Sequence, residues 1–218
     1  MKYSTAKKLI ERCPYSPEYH FDSEIQDPRW DTIIPVGNLS FELSNEEQQQ
    51  LVDASNPIGC ELGKYGRADI DTTKSYVSAD PKYVVNNMNY SLPLGLQRAG
   101  ELFALEEAQI RAHVQLPGQT WNVHIDKLQF WSPDYSQEVI RFVMHVTDWE
   151  PGHFWHYGNY MHAHWRRGDV HTFDWMQVPH STANAGLCPR ITLLITGRPT
   201  DQTRAVLSQL KQTDSYQV

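Results

Sequence analysis

Apolar and polar residues alternate with period two through most of the second half of the chain, and the alternation predicts strands. In EAQIRAHVQLPG, Ala108, Ile110, Ala112 and Val114 point one way and Gln109, Arg111, His113 and Gln115 the other. This reads as a half-buried strand that ends at Pro117-Gly118. The segments WNVHIDKLQFW, VIRFVMHVTDW, HFWHYGNYMHAHW, GDVHTFDW and RITLLITG follow, each short, rich in β-branched and aromatic residues, and bounded by Gly, Pro, Asn or Asp. Strands at this spacing predict a sandwich or barrel.

The first half is patterned differently. Residues 1–37 are polar and Pro-interrupted and are expected to form an arm around the domain. Asn38–Leu43 alternates as a strand, and Ser44 with Glu47 makes a capping box for a short helix over EEQQQLVDA, whose acidic face is solvated. Residues 56–82 carry turn chemistry, and Leu94 to about Leu105 reads as a second helix. Residues 38–107 are thus a helical and loop support region, residues 108–200 the β core, and residues 201–218 a terminal helix with a frayed tail.

Composition narrows the function. The chain has 218 residues, 40% hydrophobic and 21% charged, which suffices for one core without staples. A formal net charge of −7 disfavours duplex nucleic acid or an anionic membrane surface as partner. No apolar run approaches a membrane span, and the first residues lack the apolar stretch of a secretory signal. Cys13, Cys60 and Cys188 are too few and too scattered for a disulfide framework or a thiolate zinc site, and a cytoplasmic location is expected. Nine of the 10 histidines fall between His113 and His180, and six of the 7 tryptophans between Trp121 and Trp175. Imidazole at that density points to a metal.

Residues i and i+2 of a strand share a face, so His124 and Asp126 can hold one metal together. A histidine from a distant strand, His180, completes a 2-His-1-carboxylate set, which leaves adjacent positions open and suits non-haem Fe(II) with O2. Between Asp126 and His180 there is room for about four strands. Arg190 opens the last strand, sharing a face with Thr192 and Leu194, opposite Ile191, Leu193 and Ile195. If that face points inward, the guanidinium is buried in a β pocket and needs an anion; a carboxylate fits it bidentately, with the Thr192 hydroxyl alongside.

The order HxD, His, Arg resembles the Fe(II)/2-oxoglutarate-dependent dioxygenases, and among them the aspartyl/asparaginyl β-hydroxylase-like branch that includes free-proline hydroxylases. The resemblance is carried by LPGQTWNVHID, FVMHVTDW and GDVHTFDWMQVPHSTANAGLCPRITLLITG, from about residue 108 to 197. It implies a mainly β, double-stranded β-helix (jelly roll, cupin-like) fold with flanking α-helices. It also implies iron on His124, Asp126 and His180, Arg190 on the far carboxylate of 2-oxoglutarate, and His145 against that cosubstrate. Relatives place an arginine two residues before His145, where this chain has Val143; Arg141 lies two residues further back on the same strand face. The substrate expected is a small molecule or peptide, an amino-acid side chain above all.

The residues admit two other readings. One is a cupin-type metalloenzyme that uses no 2-oxoglutarate, with metal on His162 and His164, which would lie along one strand; only sixteen residues separate His164 from His180, too few for the intervening cupin strands. The other is a non-catalytic β-barrel binding module, which would have no need of Arg190 beside a metal triad. His153, His156 and His171 read as polar strand-face residues. Trp149, Trp155, Trp165 and Trp175 read as core, and Trp121 or Trp131 as a substrate contact. Asp174 reads equally as a ligand-orienting group or a turn residue, Asn184 as a turn residue that satisfies backbone groups, and Cys188 as a small turn residue.

Overall fold

The period-two runs become strands of two facing antiparallel sheets. A computed structural model describes residues 34–55, 86–88, 92–124, 126, 138–158, 160–173, 175, 178–213 and 215–217. The first 33 residues of the expected arm, the turn-rich stretch 56–82, Trp131 and Asp174 lie outside the described residues. In chain order the elements are β1 (Ile34–Ser40), α1 (Asn45–Ser55), β2 (Asn86–Met88), α2 (Leu94–Glu101), β3 (Glu106–Gln115) and β4 (Thr120–His124). They continue with β5 (Ile140–His145), β6 (His153–Tyr157), β7 (Tyr160–His162), β8 (Asp169–Thr172), β9 (His180–Asn184), β10 (Arg190–Arg198), α3 (Asp201–Thr213) and β11 (Ser215–Gln217).

The larger sheet runs β11-β1-β8-β5-β10-β3-β2 and the smaller β4-β9-β6-β7. From β3 to β10 the chain passes back and forth between the two: β3, β5, β8 and β10 lie in the large sheet, β4, β6, β7 and β9 in the small one. That is a jelly-roll, double-stranded β-helix arrangement, the form of sandwich that the family resemblance implies. The fold is mainly β, with helices on its flank.

Strand β10 lies at the centre, between β5 and β3. Its outward residues Ile191, Leu193 and Ile195 are fully buried with Ala112, Val114, Phe142, Met144 and the α2-side residues Leu96, Ala99 and Phe103. Full burial of each such aliphatic side chain contributes roughly 1.5–3 kcal/mol. Helix α2 comes close enough that a Cβ on Gly100 would meet the Ile110 side chain at 2.6 Å. Helix α1 is capped as expected, Glu47 N–H donating to Ser44 Oγ at 3.1 Å and Ser44 N–H to Glu47 Oε2 at 2.8 Å. Helix α3 starts from the reciprocal Thr200–Thr203 pair and buries Thr203, Val206 and Leu210.

Several boundaries differ from the sequence reading. The first strand is Ile34–Ser40 rather than Asn38–Leu43, and it joins the large sheet; Pro35 is accommodated by a bulge between Pro35 and Gly37. The tail is not frayed throughout, because β11 pairs in parallel with β1. Helix α2 stops at Glu101, before Leu105, and Ala104 turns the chain at φ 48° into β3. In its second half strand β3 buries Ala112 and Val114 on one face, while on the polar face Arg111 and His113 are half-buried along the cavity and Gln115 is fully buried. The histidine-rich run makes the hairpin β6–β7, which ends at His162; His164 lies beyond it, exposed, at φ 61°. The expectation that His162 and His164 share a strand therefore fails. Gly168, at φ +87°, fits where any Cβ would strike Leu39 O, and its N–H donates to His145 O at 2.7 Å.

Candidate active site

The inward residues of the large sheet are mostly polar. Register pairs Arg190 with Gln115, Thr192 with both His113 and His145, Leu194 with both Arg111 and Val143, and Val143 with His171. Opposed residues of neighbouring strands share a face, so these side chains look toward the small sheet. Between the sheets lies a cavity of about 300 Å³ whose walls include Asp126, His180, Arg190, Thr192, Arg141, Arg111, His113, Trp121, Trp155 and Trp175.

At one side of the cavity, His180 Nε2 lies 3.7 Å from Asp126 Oδ2. Asp126 is held by its own N–H, which donates to Trp175 O at 2.9 Å. The ring of His180 is oriented through Nδ1, 3.0 Å from Val178 O, which leaves Nε2 toward Asp126. In the small sheet His124 is paired in register with His180, so the two backbone positions stand side by side. Asp126 and His180 thus meet at one edge of the cavity, with the backbone of His124 beside that of His180. Arg141 forms an ion pair with the Asp126 carboxylate. Its backbone carbonyl accepts from Trp175 Nε1 at 2.8 Å and from Thr172 Oγ1 of the adjacent strand β8 at 2.7 Å. Arg141 is thus tied to Asp126 and, through Nε, to Thr196 Oγ1 at 2.7 Å.

Arg190 is 2% exposed. Gln115 Oε1 accepts from its Nε at 2.9 Å and from its Nη2 at 2.6 Å, and the guanidinium lies 4.8 Å from the centre of the Trp155 ring. Its Nη1 is buried with no partner among the described residues. Burial lowers its pKa to about 9, the direction expected of a cation without a counter-charge. Thr192, 1% exposed, lies two residues on along the same face. Arg111 likewise has a buried Nε without a partner among the described residues, and burial and Arg141 lower its pKa. The cavity wall carries three guanidinium groups against the one carboxylate of Asp126, so it favours anions although the chain as a whole is acidic.

His145, fully buried, lies further in, stacked on Trp165 with ring centroids 4.3 Å apart. It meets His162 and His171 there, and the three offer ligating nitrogens all within 4.8 Å of one another. This buried triad can hold a metal. The HxH pair of the cupin-type reading is divided: His162 turns inward to the triad, and His164 lies tilted against Trp149 with ring centroids 4.3 Å apart.

The remaining residues fall into place. Trp155, Trp165 and Trp175 are in the inter-sheet core with Trp149 packed against it, while Trp121 lines the cavity. His171 is buried in the triad rather than on a polar strand face. His153 is buried too, and bridges Glu150 N–H and Cys188 O. Asn184 donates to Gln115 O and Cys188 O and accepts from Gly186 N–H, which ties the turn before β10. Cys188 is exposed. Nothing in the sequence marks Gln115 as a site residue beyond the alternation that sets it on the face of Arg111 and His113.

No family model and no curated protein matches this chain. Solved structures give partial matches. A Pseudomonas putida prolyl-4-hydroxylase is 17% identical with a TM-score of 0.39, covering 53% of this chain and 70% of that one. A predicted oxalate decarboxylase from Thermotoga maritima is 14% identical with a TM-score of 0.34, covering 52% and 80%. A cupin-superfamily sugar phosphate isomerase from Silicibacter pomeroyi is 17% identical with a TM-score of 0.31; the match covers 43% of this chain and only 57% of that protein's length. The chemistry of this chain is accordingly read from its own residues. Among the described residues no helix is long and apolar enough to cross a membrane.

Proposed function

We propose that this chain is an Fe(II)- and 2-oxoglutarate-dependent dioxygenase that hydroxylates a C–H bond of an amino acid or a peptidyl side chain. The observation that carries the reading is Arg190: a buried guanidinium, fixed on two of its nitrogens by Gln115, with Nη1 unpartnered among the described residues. It shares one cavity with Asp126 and His180. A buried cation held this way is costly unless an anion meets it, and a dicarboxylate would join it to the metal ligands.

The donor set fits the metal. Two imidazoles and one carboxylate leave open positions and suit Fe(II), so His124, Asp126 and His180 would hold it. The chemistry that iron supplies there, when bound, is oxidative decarboxylation of 2-oxoglutarate by O2 to succinate and CO2, coupled to hydroxylation of the substrate C–H. The chain's own residues prepare the site. Gln115 fixes the plane of Arg190, and Arg190 with the Thr192 hydroxyl binds the far carboxylate of the cosubstrate. Trp155 and Trp175 keep the walls apolar and exclude water. Arg141 holds the Asp126 carboxylate in place. Arg111 and the cationic wall favour a substrate that carries a carboxylate.

The test is turnover. Protein supplied with Fe(II), ascorbate and labelled 2-oxoglutarate should release labelled succinate or CO2, stimulated by amino acids or peptides. Asp126→Ala and His180→Ala should abolish it. Iron binding by the wild type without any binding of 2-oxoglutarate overturns the reading.

A further inference from the structure

We infer that His145, His162 and His171 form a second metal centre, a three-imidazole site for Zn2+ separate from the Asp126–His180 edge of the cavity. The three come from β5, β7 and β8, so two belong to the large sheet and one to the small. A metal there would staple the two sheets together through their interior.

The bland reading is aromatic packing, since the His145 ring stacks on Trp165. Packing does not account for the nitrogens. Both ring nitrogens of His145 and Nδ1 of His171 are buried with no partner among the described residues. A phenyl ring would fill the same space at no such cost. The other nitrogen of His171 is engaged, with Tyr157 Oη against Nε2. When the His171 Nε2–H donates to Tyr157, Nδ1 is left with its lone pair bare, which is how histidine ligands are ordinarily oriented.

The protonation states agree. Burial and mutual repulsion hold His145 well below its ordinary pKa, burial does the same for His171, and burial takes His162 to about 4. All three are neutral imidazoles at neutral pH, the form that binds metal. Three neutral nitrogens without a thiolate, in a closed and largely apolar setting, match Zn2+ in a four-coordinate site with one further ligand. The ligating nitrogens lie within 4.8 Å of one another, and bonds of ~2.0–2.1 Å require separations of roughly 3.4 Å, so the rings close on the ion.

The experiment uses the full chain, stripped with chelator and then given Zn2+ alone. To silence the other edge of the cavity, it is run in the Asp126→Ala/His180→Ala double variant as well as in the wild type. The double variant is expected to retain one Zn2+ per chain by elemental analysis after dialysis. Its Tm should rise by about 5–10 °C at a hundredfold excess over Kd. Co2+ in its place should give the strong visible bands of a four-coordinate ion. His162→Gln should remove the ion and the bands. Tyr157→Phe, which deletes only a hydroxyl, should weaken Zn2+ about 10–100-fold and keeps the test open if His162→Gln fails to fold. A double variant that binds no Zn2+, or metal binding indifferent to both His162→Gln and Tyr157→Phe, overturns the inference. The two readings separate cleanly. Metal lost only in the double variant supports the iron site and refutes this one. Metal lost only in His162→Gln does the reverse.

Discussion

The two faces of β10 are built from alternate residues of one nine-residue strand, yet they do opposite things. Outward, Ile191, Leu193 and Ile195 meet Ala112, Val114, Phe142 and Met144 with nothing polar between them. Inward, Arg190 and Thr192 are buried as deeply, against Gln115, His113 and His145. The outer face gains free energy from burial. The inner face spends it: an unpaired guanidinium nitrogen and orphaned imidazoles are groups that a stability-driven core would replace. A strand that is buried on both sides can do this because its outer face anchors it, so the inner face is free to carry chemistry.

The comparison is broken most strongly by Arg190→Met. Loss of one partner of a desolvated charge pair typically costs 2–5 kcal/mol in binding, so 2-oxoglutarate affinity should fall by about 100-fold or more, measured by calorimetry with the metal present. Stability should stay within about 1 kcal/mol of wild type, since removal of an uncompensated buried cation offsets the donors lost to Gln115. Unchanged affinity would detach Arg190 from the cosubstrate. Leu193→Ala is the converse. Leu193 is fully buried, and truncation of such a leucine costs about 2–5 kcal/mol, seen as a lower urea midpoint. Its 2-oxoglutarate affinity, measured well below Tm, should match wild type. An equal loss of binding would mean that the two faces are not independent.

The strands of the jelly roll were legible because period two is a local signal, and so was the meeting of Asp126 with His180, since strand count between them fixes the side of the sandwich on which each falls. Arg190, Thr192 and Leu194 share one face, as alternation set them, and the fold turns that face inward. The histidine triad was not legible. His145, His162 and His171 belong to three strands, two in the large sheet and one in the small, and a contact across the sandwich depends on twist and loop length rather than on spacing along any one strand. The His162-Ala-His164 pattern even misdirected, because the strand ends between its two histidines and a left-handed residue turns the second one out. The start of β1 was hidden by Pro35, whose missing N–H argues against a strand unless a bulge absorbs it.

A smaller effect sharpens the boundary between the faces. His113 sits on the inner face, opposite Thr192, and its pKa is lowered to about 3, chiefly by burial and further by Arg141 and Arg190. In the unfolded chain it titrates near 6.5. Its folded pKa is depressed, so its contribution to stability is fully present above pH 6.5. Between about pH 6.5 and 3 the unfolded chain binds the proton that the native state refuses, and stability falls with pH by up to about 1.4 kcal/mol per unit for this one group. His113→Gln should therefore flatten the dependence of urea-unfolding free energy on pH between 6 and 4 by about that slope, and leave stability above pH 7.5 nearly unchanged. Parallel curves for wild type and variant would show that His113 protonates within the folded protein. The inner face would then tolerate added positive charge, which its three guanidinium groups and desolvation argue that it cannot.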